Sequence, residues 1–445
     1  MKLWQKHFET DKMIEKFTIG TDRETDIFLA PYDILASLAH AHMITSIGLL
    51  SQEELKAIRK ELLLMYQQIK NGTFSIEPPL EDIHSKIEFV LTQKLGETGK
   101  KIHSGRSRND QVLTALKLYI RAEIRQITHL VHQLFEVLLE RAQSFQDVLM
   151  PGYTHLQVAM PSSFGLWFSA YAESLTDDLL VMQAAYRVAN QNPLGSAAGY
   201  GTSFPLNRQM TTELLGFETM NYNVINAQFT RGKTEKILGF ALNSIASTLS
   251  RLAMDICLYS GANYNFWKLP DELTTGSSIM PHKKNPDVFE LIRGKCNQIT
   301  AFSNEVSLIM NNLPSGYHRE MQIIKQPLIN AITQLKDCLE MTLYAIPRLE
   351  INRRAIESDC YRYMFSVELV HEFVKKGLSF RDAYQKVSQL IENQEYEEIK
   401  TIHHTHEGSI GNLCLEKIRE KIDRIITDFQ FHIAISAEEK LTLEN

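Results

Sequence analysis

The sequence predicts an all-α fold organised around a central bundle of long helices, and three observations carry that expectation. The 13 prolines are unevenly spread, with none between Pro79 and Pro151, between Pro205 and Pro270, or after Pro347. Proline breaks helix interiors, so long spans without it favour helix. Strict apolar–polar alternation is scarce in those spans, which argues against strands. After Asn109, the residues Leu113, Leu116, Ile120, Ile124, Ile127, Val131, Leu134 and Leu138 recur at steps of three or four, through to about Phe145. That pattern is one helix of roughly 35 residues, about 50 Å long at about 1.5 Å per residue.

From the start of the chain, shorter helices are expected at about 34–49, 53–70 and 82–96. Gly72 and the Pro78-Pro79 pair separate the second from the third. The long helix follows, then helices at about 161–189, 230–259 and 289–310. These carry apolar residues off their main stripe, such as Ile245, Leu249, Leu252 and Ile256 beside Ala246 and Ala253. Helices with so little polar face are buried on several sides. One large core or association of subunits would bury them, and helices this long sit in bundles or cross subunit interfaces. Beyond Pro347, short amphipathic helices are expected at about 366–376, ended by Gly377, and at about 380–392. No internal repeat or low-complexity linker divides the chain, and the expected parts are 1–107, 108–346 and 347–445.

With 445 residues, 44% of them hydrophobic, the chain can bury a large core. A net charge of −6 without any basic run argues against nucleic acid or an anionic membrane as partner. The first residues lack an apolar core of signal-peptide length, and no apolar stretch is expected to span a membrane, so the protein reads as soluble and cytoplasmic. Cys257, Cys296, Cys338, Cys360 and Cys414 are scattered and odd in number, which suits reduced thiols rather than a disulfide frame or a zinc site. His403, His404 and His406 lie in a polar segment that reads as a solvated loop, and no metal is expected.

Four segments concentrate polar chemistry. Gly276-Ser277-Ser278-Ile279-Met280-Pro281-His282-Lys283-Lys284-Asn285-Pro286-Asp287 sets hydroxyls, ammonium groups and an amide close together. Its leading glycine and two prolines favour a loop over a helix. Such a loop could swing over a substrate, present a serine and hold carboxylates with Lys283 and Lys284, or it could be a polar surface turn. His103-Ser104-Gly105-Arg106-Ser107-Arg108-Asn109-Asp110-Gln111 precedes the long helix. Ser107, Asn109 or Asp110 could cap that helix. Backbone N–H groups at a helix start favour anions, and Arg108 could add a bidentate carboxylate contact. In Pro151-Gly152-Tyr153-Thr154-His155-Leu156-Gln157, Thr154 can donate to a carboxylate and His155 can titrate near neutral pH, although a loop histidine is often merely exposed. Tyr317-His318-Arg319-Glu320-Met321-Gln322-Ile323-Ile324-Lys325 offers a hydroxyl, an amide and a cation. Gln322 and Lys325 share a face if the segment is helical. Alone, it is an ordinary amphipathic stretch.

The Gly-Ser-Ser-x-Met-Pro-x-Lys-x-Asn pattern at 276–285 is matched at every fixed position and resembles the signature loop of the fumarase/aspartase superfamily, homotetrameric lyases that release fumarate from substituted succinates. Within it, the chain resembles the argininosuccinate lyases and their delta-crystallin relatives from about Met13 to the 370–377 segment. The likeness is carried by Glu81-Asp82-Ile83-His84, the Ser-Gly-Arg-Ser-Arg-Asn-Asp-Gln run at 104–111, the Pro-Gly-Tyr-Thr-His-Leu-Gln run at 151–157, Pro193-Leu194-Gly195-Ser196 and the Tyr317, Gln322, Lys325 spacing. The resemblance implies a three-domain lyase whose central helix bundle forms the core of a homotetramer, with each site assembled from three subunits. It implies a small-molecule substrate, argininosuccinate, cleaved to arginine and fumarate in arginine biosynthesis without a cofactor.

By the same resemblance Ser277 corresponds to the proton-abstracting base, and His155, paired with Glu290, to the group handling the proton on the acid side. Lys283 fits the lysine that stabilises the intermediate. Asn109, Thr154, Asn285, Tyr317, Gln322 and Lys325 fall on substrate-binding positions, with Arg108 beside Asn109. The chemistry needs such groups. Removing a proton beside a carboxylate creates a second negative charge, an aci-carboxylate that Lys283 and nearby donors would stabilise. A serine hydroxyl is a poor base, so its alkoxide needs stabilisation from loop N–H groups and lysines. His155 would protonate the departing guanidinium nitrogen, directly or through water.

The chain departs from the family pattern in four places. The usual Leu-Trp-Gly-Gly-Arg-Phe is Leu3-Trp4-Gln5-Lys6-His7-Phe8, and residues 18–26 align only with a short insertion. A Ser-Asp-Arg-Asp run is Phe229-Thr230-Arg231-Gly232, and a Glu-Asp pair after Gln322 is Ile323-Ile324. These surround the end expected to read the arginine moiety. They leave two other readings: a related lyase acting on another amino-substituted succinate, or an inactive structural paralogue of the delta-crystallin kind. Intact His155, Ser277, Lys283 and Glu290 speak against the second.

Overall fold

The computed structural model describes residues 11–443, so the departure at residues 3–8 lies outside the described residues. Helix α1 (Lys12–Ile19) is capped by the Asp11 side chain. α2 (Asp22–Ser46) begins well before the expected residue 34 and carries Pro31 inside it. The proline penalty is overridden by packing, because Leu29, Ala30 and Ile34 around it are fully buried. α3 (Gln52–Lys70) opens with a capping box between Ser51 and Glu54. α4 (Ile83–Leu95) is capped by Asp82 and closed by Gly96 at φ +57°, then a short α5 (Glu97–Lys100) follows. Leu38, Ile58, Leu62, Ile83, Ile87 and Leu91 unite these helices in one core.

The central bundle is built on α6 (Arg108–Ser144), 37 residues long, close to the expected bounds. At about 1.5 Å per residue it spans roughly 55 Å. A hairpin of β1 (Leu149–Thr154) and β2 (Gln157–Ser163) follows, which delays α7 (Phe164–Ala189) by a few residues from its expected start. α7 returns antiparallel to α6: Gly165 meets the end of α6, while Ala197, beyond α7, meets Asp110 at its beginning. α8 (Arg208–Leu214) is short. α9 (Val224–Tyr259) runs back again, starting beside Ser196 and ending against Tyr153.

Two expected helices are interrupted. α9 breaks at Arg231 (φ −65°, ψ 129°) and Gly232 (φ 78°, ψ −44°). The expected 289–310 helix is two helices, α10 (Asp287–Ile299) and α11 (Phe302–Met310). α12 (Lys325–Ala345) completes the bundle, with Leu328, Ile332, Leu335 and Leu339 in the core. It escaped notice because Pro327 sits in its first turn, where proline is harmless.

The tail supplies α13 (Ser366–Lys375) and α14 (Phe380–Glu392) as expected, with a small core of Val370, Ala383, Val387 and Tyr396. His404 lies in the irregular segment after them, 2.9 Å from Glu368. Two unexpected helices fold back: α15 (Leu415–Asp428) adds Ile418, Ile422 and Ile425 to the bundle core, and α16 (Phe431–Thr442) reaches α3, where Tyr66 donates to Glu438 at 2.8 Å. Contrary to the sequence expectation, α2 and α9 are long and apolar enough to cross a membrane; 72% and 50% of the relevant windows are buried inside the protein. Core burial explains the apolarity of α2 in particular.

The approach of α7 to α6 gives a stability prediction. A Cβ on Gly165 would lie 2.5 Å from Gln146 Cα and 2.7 Å from the Ala142 carbonyl oxygen, both backbone atoms that cannot swing aside. Gly165→Ala is expected to destabilise the fold by about 1–3 kcal/mol. Thermal unfolding should show a clearly lower midpoint; an unchanged one would refute the close approach.

Candidate active site

The polar run before α6 sorts into structural and open groups. Ser107 is the N-cap: its hydroxyl accepts the Asn109 N–H at 3.3 Å, and its own N–H donates to Asp110 at 2.8 Å. The second Asp110 oxygen accepts the Gly195 and Ala197 N–H groups at 3.0 and 2.9 Å, stapling the turn after α7 to the start of α6. Burial pushes the Asp110 carboxyl up to about 6, against these backbone donors and Arg106. Asp110 is therefore committed to the fold, and Arg108 and Asn109 are left facing a cavity of about 260 Å³. Arg108 lies 3.2 Å from Asp82 and 3.5 Å from Glu81, and it donates to the Ser85 hydroxyl at 3.0 Å.

Tyr317, Gln322 and Lys325 line the same cavity. Arg319–Ile324 is a 3₁₀ turn leading into α12, so Gln322 and Lys325, three residues apart, fall on one side of it. Gln322 donates to the carbonyls of Thr18 and Ile19 at 2.9 and 3.3 Å. Lys325 is buried between Asp22 and Asp26, 2.6 Å from each. Burial opposes its charge, yet the two carboxylates hold its pKa above the usual lysine value.

Thr154 and His155 lie at the tip of the hairpin, exposed. His155 and Leu156, at φ 54° and 59°, form its two-residue turn, where positive φ matches the strand twist. Tyr153 packs against Tyr259, Tyr264 and Phe266 with ring centroids 5.6–6.2 Å apart, which brings the hairpin to the end of α9 from which the signature loop departs. That loop is a small hairpin: Thr275–Gly276 pairs with Lys284–Asn285 and leaves 277–283 as its tip. Ser277 Oγ accepts the Met280 N–H at 3.1 Å and the Ile279 N–H at 3.4 Å, the backbone support that a serine alkoxide needs. Lys283 is exposed on the tip, and Glu290 is exposed in the first turn of α10.

Within one chain the expected site residues form two groups. Arg108, Asn109, Tyr317, Gln322 and Lys325 share the cavity at the start of α6. Thr154, His155, Ser277, Lys283, Asn285 and Glu290 belong to the opposite end, beyond a helix of roughly 55 Å. Among the described residues no ion pair or hydrogen bond joins His155 to Glu290. The sequence reading missed Asp22 and Asp26 as cavity residues. Their i, i+4 spacing is the signal, hidden because α2 was expected to begin later. Among the described residues no cluster of three or more His, Cys, Asp or Glu could hold a metal ion.

A family model described as lyase matches residues 3–301. The argininosuccinate lyase of Bacteroides fragilis is 55% identical over 440 residues, covering 99% of this chain and 98% of that protein. That of Phocaeicola vulgatus is 54% identical over 440 residues, covering 99% of each. That of Thermotoga neapolitana is 41% identical over 388 residues, covering 87% of this chain and 98% of its own. Among solved structures, EDDS lyase in complex with formate superposes with a TM-score of 0.77 at 22% identity, over 98% of this chain and 94% of that one. The class II fumarase of Schistosoma mansoni does so with a TM-score of 0.72 at 17% identity, over 97% and 95%.

Proposed function

The chain belongs to the argininosuccinate lyase family, and from that premise we propose that it cleaves argininosuccinate to arginine and fumarate, as a step of arginine biosynthesis in the cytoplasm. The observation that carries this reading is 55% identity over nearly the whole length of both chains. The fold agrees with a lyase of the fumarase/aspartase superfamily.

Ser277, as alkoxide, removes the proton beside the carboxylate that becomes part of fumarate. Lys283 stabilises the resulting aci-carboxylate, and Asn285 binds the substrate from the same loop. Its collapse breaks the C–N bond and forms the C=C bond, while His155, oriented by Glu290, delivers a proton to the departing guanidinium nitrogen. Arg108, Asn109, Thr154, Tyr317, Gln322 and Lys325 hold the substrate. Proton and electron pair stay within substrate and enzyme, so the elimination is redox-neutral and calls for no cofactor.

The site is completed by neighbouring copies in a homotetramer, and the three parts 1–107, 108–346 and 347–445 are its building units. Two observations support association. The two groups of site residues stand at opposite ends of α6, and the bundle helices carry exposed apolar side chains such as Leu180, Phe240, Met254, Leu291 and Leu308.

The test is ultraviolet detection of fumarate after mixing the purified protein with argininosuccinate. Fumarate and arginine are expected in equal amounts. Fumarate from another amino-substituted succinate, with none from argininosuccinate, would overturn the substrate assignment while keeping the reaction.

A further inference from the structure

The hairpin that carries Thr154 and His155 is held at its base by a residue from a distant part of the chain. The pairing of β1 with β2 shifts register between Pro151 and Tyr153, a bulge at Gly152. A Cβ there would lie 2.7 Å from the Met160 carbonyl oxygen, so the opposite strand comes close where the bulge bends β1. Past the bulge, only the pairs Tyr153–Val158 and Thr154–Gln157 remain before the turn. Residues Thr154, His155, Leu156 and Gln157 are all exposed. Among the described residues the Thr154 and His155 side chains have no hydrogen bond that would fix them. The direction of the tip therefore depends on Tyr153, two residues from His155 and about 7 Å away along the strand.

Tyr153 sits in a socket of rings. Tyr259, at the end of α9, lies 6.1 Å away between centroids, with Tyr264 and Phe266 at 5.6 and 6.2 Å. Ring packing sets where Tyr153 lies, and a directional contact fixes its rotation: its hydroxyl donates to the Tyr361 hydroxyl at 3.2 Å. Tyr361 is 208 residues further along the chain, on the 3₁₀ segment Asp359–Phe365. Its ring lies 6.1 Å from that of Phe266, which closes the socket, and only 3% of it is exposed. The same segment is tied to the small core beneath α13 and α14, because Arg362 donates to the Tyr396 carbonyl and Tyr363 packs on the Tyr396 ring at 5.4 Å. Burial pushes both phenols of the pair above the ordinary tyrosine range, so both hydroxyls keep their protons at neutral pH.

We propose that Tyr361 is a positioning residue for His155, fixing through the Tyr153 hydroxyl the angle at which the hairpin tip presents its imidazole. The tail of the chain thereby acts on the proton transfer without Tyr361 touching the substrate. This inference rests on the acid role of His155 given above and adds the group that holds it in place.

The experiment is a double-mutant cycle on kcat for fumarate release from argininosuccinate. Tyr361→Phe keeps the ring in the socket and deletes the bond; it should lower kcat about 3- to 10-fold, the range for one neutral hydrogen bond. Tyr153→Phe removes the other half of the same bond and should give the same fall, with no further fall when the two are combined. In a His155→Asn protein, already slowed, Tyr361→Phe should change kcat by less than about twofold, because the group it positions is gone. A merely structural contact would slow both backgrounds equally. Equal slowing in both, or a Tyr361→Phe protein within about twofold of wild type, overturns the positioning role. Should Tyr361→Phe fail to fold, Tyr153→Phe carries the same comparison. If His155→Asn turned over at the wild-type rate, the acid role itself would fall, and the positioning role with it; a slow His155→Asn with additive effects removes only the role of Tyr361.

Discussion

Ser277→Ala abolishes fumarate release, lowering kcat by at least about a thousandfold, while the helical fold and oligomeric state are retained. The magnitude follows from the proposed role: catalysis that depends on one nucleophile or base collapses when it is removed. The retained fold follows from position. Ser277 sits on an exposed loop, and its only hydrogen bonds among the described residues are those accepted from the Ile279 and Met280 N–H groups of the same tip. Surface substitutions of this kind change stability by no more than about 0.5 kcal/mol. Steady-state kinetics beside circular dichroism and sedimentation check both halves. Turnover within tenfold of wild type would remove Ser277 as the base.

The second large effect is recovery of activity from two inactive proteins. Asn109→Ala removes a group of the cavity end and Ser277→Ala one of the loop end; each pure protein should be inactive. In a tetramer whose sites draw Asn109 and Ser277 from different copies, co-refolded mixtures at equal proportions contain intact sites. Each site needs a wild-type Asn109 from one subunit and a wild-type Ser277 from another. Random assembly therefore restores about a quarter of wild-type activity. The expectation rests on α6, which sets the two groups at opposite ends of a rod of roughly 55 Å. Mixed oligomers that stay inactive would mean that one chain closes the whole site by itself.

Local chemistry was legible in the sequence where local rules decide it. The bounds of α6 follow from its apolar stripe and from Ser107, whose cap the structure contains. The hairpin at 149–163 was not legible, because Pro151 and Pro161 mask a strand pattern that only the pairing of its two halves reveals. The early start of α2 and the whole of α12 were hidden by prolines whose cost, inside α2 through burial and in the first turn of α12 through position, the fold absorbs.

The same division holds for the site. The sequence by itself determined which polar side chains stand close together, since serine, histidine, lysine and asparagine lie in short runs whose spacing survives any packing. Only the tertiary structure decided which of them meet. It set Asp22, Arg108, Arg231 and Lys325 around one cavity and sent Ser277 and His155 to the far end of the bundle. Residues a few positions apart are placed by the geometry of their own turn or helix. Residues a hundred positions apart meet through the length and direction of rigid helices, and through a break such as that at Arg231, which no local spacing encodes.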